Sequence, residues 1–293
     1  MNARTAMLVA AISITALFTA WIIYSVGKTS LLWIANLYGA AVSLALISPI
    51  SIAKRTAYLN AAIPHMTLFS ASAAALLTGG APGKTILVAA VLNLLLVFTY
   101  QRAIAKGVSE EIATSLIVGL TTSLSVLALY FLYKKTGYSG LVAALLVGDP
   151  LLVSTRNAVI SVTAASAIAI TVLLTWKEQI IVGIDRDYAT ARGMRTSFYD
   201  YVYYALLGLT SIIYIRAVGY ILLHVLVLMP GSIAMLASTS LSGVLPVSLA
   251  LTLLSSSMSL LIGLYVDVSP VGLIGILMLF LYVLTNLMVR TKQ

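Results

Sequence analysis

The chain of 293 residues contains no cysteine. Without thiols it can form neither a disulfide bond nor a thiolate metal site, and it has no cysteine nucleophile. Charged residues are also scarce, at 9% of the chain, whereas a soluble domain carries about 25%. Because a water-facing surface cannot be built from so few charges, the composition predicts a polytopic membrane protein with a single transmembrane domain over residues 1–293.

Sequence motifs of catalysis and nucleotide binding are missing too. The segment GGAPGKT at 79–85 approaches a Walker A motif, but its Gly80 lies only three residues before Gly83. The sequence holds no HExxH or GxSxG motif and no carboxylate pair on one helix face. We therefore expect the chain not to be an enzyme and to bind no cofactor of its own.

Apolar residues are abundant, at 61% of the chain. A helix that crosses a bilayer needs about 20 of them in succession. Segments of this kind lie at about 5–26, 30–53, 57–78, 85–105, 110–133, 156–176, 200–216, 217–236, 241–262 and 268–289. The pair at 200–236 fits either one long helix or two helices broken near 216–219. Residues 139–152 are too short to cross and suit a re-entrant or surface-lying segment. The fold class is all-α, a polytopic membrane bundle of about 8–10 transmembrane helices.

The basic residues predict the orientation in the membrane. Placing the N-terminus inside leaves eleven of the 17 basic residues in the cytoplasm, in the direction of the positive-inside rule. We expect both termini to be cytoplasmic, together with the loop at about 177–197. The net charge of +9 fits this distribution and does not indicate nucleic-acid binding.

That loop is the most charged part of the sequence, with GIDRDYATARGM at 183–194. A carboxylate at Asp185 can cap a short helix, because it accepts hydrogen bonds from free backbone N–H groups at the positive helix end. Gly193 is suited to end the helix. Taken alone, the pattern fits a surface helix over about 178–194, or a solvated connector.

The order of residues in the loop resembles one family, the permease subunits of zinc/manganese/iron-type ABC importers. Their cytoplasmic loop has the pattern hydrophobic-Asp-x-acid-x-Ala-x-x-x-Gly, which is matched at Asp185, Asp187, Ala189 and Gly193. Further likeness extends over most of the chain from about residue 45, at Arg55, Ala62, His65, residues 145–154, Val218, Gly219, Pro230, Ala234 and 264–272. The chain departs from the family at Leu68-Phe69-Ser70 and at Glu110-Glu111, and in having two histidines only.

The resemblance implies a function. Residues 178–194 would be a coupling helix that docks on a cytosolic ATP-binding subunit, through Asp185, Arg186, Asp187, Ala189, Arg192 and Gly193. A divalent metal, zinc, manganese or iron, would be the substrate, delivered by an extracytoplasmic binding protein to a permease homodimer in the cell membrane. ATP hydrolysis on the partner would drive alternating access.

The two histidines are the first candidates for a metal pathway. His65 and His224 both fall within apolar spans, where an ionisable group is costly and points to function. Neutral imidazole suits zinc, manganese or ferrous iron, and we expect His224 to be the metal ligand. The alternative is that each histidine forms a hydrogen bond to a neighbouring helix.

Other candidates lie on the outer side and in a helix break. Asp149 and Asp267 are the acids assigned to the outer side, where they would either meet an incoming cation or cap a turn. Pro230 removes a hydrogen bond to the carbonyl of Leu226, so with Gly219 it predicts a kink or gate near His224.

Two other functions fit parts of the pattern. A permease for iron chelates or cobalamin has a similar loop, with a wide cavity poor in ion ligands. An ion-coupled secondary transporter needs acids in the middle of its spans, and none of the eight acids falls securely there.

Overall fold

The computed structural model describes residues 3–136, 139–148, 150–151 and 153–290. In these ranges the chain is helical and has no strand, which confirms the all-α prediction. The elements are α1 (Ala3–Val26), α2 (Ser30–Ala53), α3 (Ala57–Thr78), α4 (Pro82–Ala105), α5 (Glu110–Thr136), α6 (Ser139–Leu146), α7 (Thr155–Ile184), α8 (Arg186–Ala191), α9 (Thr196–Ala237), α10 (Leu241–Val266) and α11 (Pro270–Arg290).

Nine of the described helices, all except α6 and α8, are long and apolar enough to cross a membrane. This number lies within the predicted range of 8–10. Helix α6 has eight residues and falls in the segment predicted to be too short to cross. Its re-entrant or surface-lying placement stays a prediction.

Helix α9 resolves the alternative at 200–236. It is one element of 42 residues whose backbone leaves helical geometry at Gly219, with φ 73° and ψ 166°. Two helical segments therefore meet at that glycine, within the four residues where the break was predicted. Pro230 is buried farther along the same helix.

The predicted surface helix over 178–194 is shorter in the structure. Residues 178–184 form the last two turns of α7, and only Arg186–Ala191 make the separate helix α8. The reason is Asp185, whose extended backbone, at φ −143° and ψ 94°, interrupts the helix while its carboxylate caps the next one.

The chain divides into two compact units. The first comprises residues 1–52, 149–174 and 225–293. In it α10 packs against both α1 and α11. Buried hydroxyls along α10, at Thr252, Ser255 and Ser256, donate to carbonyls of their own helix, so they add no unpaired polar group to the interior. Small side chains of this kind let helices approach closely.

The second unit comprises residues 53–148 and 175–224. Helix α3 packs against α4, α5 and α6 in this unit. Its apolar interior includes Leu68, Ala74, Ala89, Leu145 and Ile212. Helices α7 and α9 each contribute residues to both units. The single transmembrane domain expected from the sequence stays a prediction.

Candidate functional site

Three aromatic rings of the second unit form one cluster, which includes both histidines of the chain. The ring centroids of His65 and His224 are 5.3 Å apart, and the Tyr220 ring lies 5.1 Å from the first and 4.8 Å from the second. All three pairs meet edge to face. The sequence placed the two histidines on separate spans, and the structure brings them into contact.

The backbone break in α9 positions this cluster. Tyr220 follows Gly219 directly, and His224 lies four residues farther on, so both side chains project from the same helix face. The break is held by a close approach of two chain segments. A Cβ at Gly219 would overlap the backbone of Val147, and a Cβ at Gly148 would overlap that of Val218. Both glycines have positive φ, so no other residue type suits either position.

A hydrogen bond selects the tautomer of His224. Its Nδ1 lies 3.0 Å from the carbonyl oxygen of Tyr220. Since a carbonyl can only accept, Nδ1 carries the hydrogen in the neutral ring, and Nε2 keeps its lone pair. A histidine whose Nδ1–H donates to a backbone carbonyl presents Nε2 in the form that binds a metal.

His65 has hydroxyl partners on two other elements. Its Nδ1 lies 2.7 Å from Oγ1 of Thr122 on α5, and the Tyr220 hydroxyl lies 3.1 Å from its Nε2. A cavity of about 500 Å³ lies beside the ring, and its lining includes Tyr130 and Leu146. The histidine therefore faces a mostly apolar space whose lining also includes hydroxyl groups, among them those of Thr122 and Tyr220.

The cluster can supply part of a metal coordination shell. Two imidazoles and a phenol are present, whereas zinc takes four ligands in most protein sites. The described residues include no group of three or more His, Cys, Asp or Glu side chains that could hold a metal. Further ligands would have to come from water, a backbone carbonyl or a second chain.

Two other predicted site residues, Asp267 and Pro230, are assigned to the first unit, and the histidine cluster is assigned to the second. Asp267 belongs to the first unit, where it ends α10 as an exposed residue in the left-handed conformation, with φ 57°. This geometry fits the turn-capping alternative. Pro230 also belongs to the first unit, and Asp149 lies outside the described residues.

The residues that begin and end helix α8 are the ones the sequence predicted. The Asp185 carboxylate accepts a hydrogen bond of 2.9 Å from the backbone N–H of Tyr188. Ala189 is fully buried. Gly193 has a φ of 74°, and its N–H donates to the carbonyl of Thr190, so it closes the turn after the helix. Both predictions, the Asp185 cap and the Gly193 terminator, are confirmed.

An ion-pair network next to α8 was not predicted. The Asp200 carboxylate lies 2.8 Å from Nζ of Lys54 and 2.6 Å from Nη1 of Arg186. The Lys54 side chain is only 5% exposed. Burial lowers the pKa of its ammonium group, and the hydrogen bond to Asp200 offsets part of that effect. Nothing in the sequence indicates that Lys54 and Asp200 are in contact, because they lie 146 positions apart.

Beside this network, Tyr203 is fully buried and connects α9 to the start of α3. Its hydroxyl donates to Oδ1 of Asn60 at 3.1 Å, which leaves the Thr56 hydroxyl, 2.7 Å away, to donate to Tyr203.

The nine candidate spans, the apolar surface and the short charged helix α8 define a multi-pass membrane protein. More particularly, the chain belongs to the ABC 3 transport family, whose model matches residues 28–289.

Individual relatives agree with this assignment. The chain is 29% identical over 140 residues to the manganese transport system membrane protein MntB of Synechocystis sp., covering 48% of this chain and 46% of that protein. It is 24% identical over 189 residues to the zinc transport system membrane protein TroC of Treponema pallidum, covering 63% of each. The matched part thus spans about half to two thirds of the length of these relatives.

The fold resembles that of a solved structure, PsaBC from Streptococcus pneumoniae in complex with Fab. The TM-score is 0.79 at 20% sequence identity, over 91% of this chain and 94% of the other. At that identity the likeness concerns the fold alone.

Proposed function

We propose that the chain is the membrane-spanning permease subunit of an ABC importer for a divalent metal cation. The observation that carries this proposal is the histidine pair, because His224 presents the Nε2 lone pair beside His65 within apolar helices. Family membership and the relatives' manganese and zinc transport names support the same class. Imidazole nitrogens suit zinc, manganese and ferrous iron, so all three are candidate substrates.

Energy for transport comes from a separate cytosolic ATP-binding subunit that docks on α8. Asp187 is the acid of α8 best suited to contact it. It is exposed, and it has no ion pair in the described part of the chain, whereas Asp185 caps the helix and Arg186 pairs with Asp200. Arg192 lies 5.5 Å from the centre of the Tyr188 ring. Asp187 and Arg192 thus give α8 an exposed charged surface for a soluble protein.

The remaining partners follow from the same proposal. Two permease chains form the pathway, and an extracytoplasmic binding protein delivers the metal. The assembly lies in the cell membrane, with both termini of this chain in the cytoplasm. Binding and hydrolysis of ATP on the partner move the permease between inward- and outward-facing states.

Metal uptake tests the histidine pair. Proteoliposomes of the co-purified complex take up radioactive manganese or zinc, and we expect His224→Gln and His65→Gln each to reduce the initial rate at least tenfold. Ser211→Ala is the matched control on α9, because its buried hydroxyl donates to the carbonyl of Leu207 in its own helix. Uptake that survives both histidine substitutions at the wild-type rate would refute the proposed pathway.

Cross-linking tests the docking helix independently. The chain has no cysteine, so a single Asp187→Cys substitution gives a unique attachment point. Lys135→Cys, on the exposed last turn of α5, is the control. We expect an ATP-binding protein to be captured from native membranes at position 187 and not at 135. Full labelling at 187 without any ATP-binding protein captured would contradict the docking of α8.

A further inference from the structure

A second, larger cavity of the second unit lies away from the histidines. It is a cleft of about 900 Å³ between the end of α4, the start of α5, and the first turns of α3 and α9. Four basic side chains and two acidic ones line it, namely Lys54, Arg102, Lys106, Arg186, Glu110 and Asp200. The excess of positive charge makes it suited to an anion.

Two of these basic groups are available to a ligand. Lys54 and Arg186 are paired with Asp200. Arg102 and Lys106 are exposed, and neither forms a salt bridge within the described residues. They are four positions apart at the end of α4, so their side chains lie on one face of the chain there.

The same cleft continues to an apolar wall. Leu95 and Phe98 line it, and Leu95 lies seven residues before Arg102, about 10 Å along the helix axis. Its side chain is 59% exposed on a helix long and apolar enough to span a membrane. The cleft therefore has cationic groups at one end and opens at the other onto the surface that faces the hydrocarbon of a bilayer.

We propose that this cleft binds one anionic phospholipid. Its phosphate contacts Arg102 and Lys106, and an acyl chain lies along Phe98 and Leu95. A segment of a soluble protein fits less well, because its backbone N–H and C=O groups would have no partners at the depth of Leu95. A lipid tail has no such groups, while its phosphate matches the two unpaired cations.

The cysteine-free chain permits a direct test. The full-length chain carrying Leu95→Cys is labelled with a fluorophore and reconstituted into nanodiscs with phospholipids bearing a nitroxide on the acyl chain. Leu120→Cys is the matched control. It is 54% exposed, and it lies ten residues into α5 from Glu110, as Leu95 lies ten residues back from the end of α4.

We expect nitroxide phosphatidylglycerol to quench the label at 95 more strongly than nitroxide phosphatidylcholine, with no such preference at 120. Each basic group near an anionic lipid contributes about a fivefold factor in binding, so Arg102→Gln/Lys106→Gln should lower the preference by about 25-fold. Lys134→Gln/Lys135→Gln neutralises two exposed lysines at the other end of α5 and should leave it unchanged.

Three results would overturn the proposal. Equal quenching by both lipids at position 95 would show that the cleft does not select an anionic lipid, and it would favour another occupant, such as a protein segment. If the two double substitutions lower the preference for phosphatidylglycerol equally, the preference arises from the general surface charge and not from the cleft. Loss of the preference in inorganic phosphate, but not in sodium chloride of the same ionic strength, would indicate a site for a soluble anion.

Discussion

We expect the Asp200→Asn substitution to be among the most destabilising changes of a charged side chain in this protein. The substitution keeps the shape of the side chain and removes the charge that compensates Lys54. Because the Lys54 side chain is 5% exposed and that of Asp200 14%, this pair is essentially buried. Breaking such a pair by removing one partner costs about 3–5 kcal/mol.

An upper bound follows from the lysine itself. Lys54 can lose its proton instead of remaining charged without a partner, and neutralising a lysine of ordinary pKa near pH 7.4 costs about 4 kcal/mol. Arg186 adds little, because its side chain is 55% exposed. We therefore expect a loss of about 3–4 kcal/mol. At about 2–4 °C per kcal/mol, this corresponds to a Tm lower by roughly 6–16 °C.

The assay is thermal unfolding of the purified chain in detergent, followed by intrinsic fluorescence. Asp187→Asn is the control, since this acid is exposed and has no ion pair in the described part of the chain. Adding Lys54→Met to Asp200→Asn should restore most of the Tm, because an apolar side chain needs no counter-charge. If Asp200→Asn lowers the Tm no more than Asp187→Asn, the reasoning is refuted.

The pH dependence of the same variants has a definite sign. Burial lowers the pKa of Lys54 below its usual 10.5. Between the folded and the unfolded pKa the unfolded chain binds more protons, so this group makes stability rise with pH in that window. Without Asp200 the pKa of Lys54 in the folded state falls further, so the range in which stability rises with pH extends to lower pH. The Tm deficit of Asp200→Asn should therefore shrink as pH rises from about 7.5 to 9.5, and Lys54→Met should abolish that trend.

Two further substitutions test the elements that hold the sites. Gly219→Ala should lower the free energy of unfolding by at least about 2 kcal/mol, because the φ of 73° disfavours a Cβ and that Cβ would overlap the backbone of Val147. The control is Gly119→Ala, where a Cβ would meet open space, so its Tm should be unchanged or higher. Asp185→Ala removes the cap of α8 and should destabilise that helix by about 1 kcal/mol. Hydrogen exchange of the Tyr188 amide should become faster, and an unchanged exchange rate would exclude the capping hydrogen bond.

Much of the fold could be predicted because the bilayer constrains it. A span needs about 20 apolar residues in succession. This length located ten segments, two of which form the single helix α9, and it excluded the segment of α6 as a span. The break in α9 was predictable to within four residues from the glycine at 219. The end of α7 at Ile184 was not, because residues 178–184 suit either the last turns of a long span or the start of a surface helix.

The candidate sites were predictable only in part. The cap at Asp185 and the turn at Gly193 are local, so residue type and spacing were sufficient. The contact between His65 and His224 depends on how α3 and α9 pack, which periodicity does not reveal. Tyr220 was missed although it lies four residues before His224, a spacing that places both on one helix face. Asp200 and Lys54 had no local signal.

The ion-pair network and the histidine cluster lie on the same two helices. Helix α3 begins at Ala57, just after Lys54, and carries His65, while α9 carries Asp200 near its start. Twenty residues separate Asp200 from Tyr220, about 30 Å along a helix. The first segment of α9 is helical from Thr196 to the break at Gly219, so it can move as one rigid body. Under the docking proposed above, a displacement of α8 would reach the start of this segment, where Arg186 and Asp200 are in contact. Tyr220 follows the break at Gly219 directly, and it contacts His65 through its hydroxyl and His224 through its backbone carbonyl. It is therefore the residue through which such a displacement would reach the two histidines of the proposed pathway.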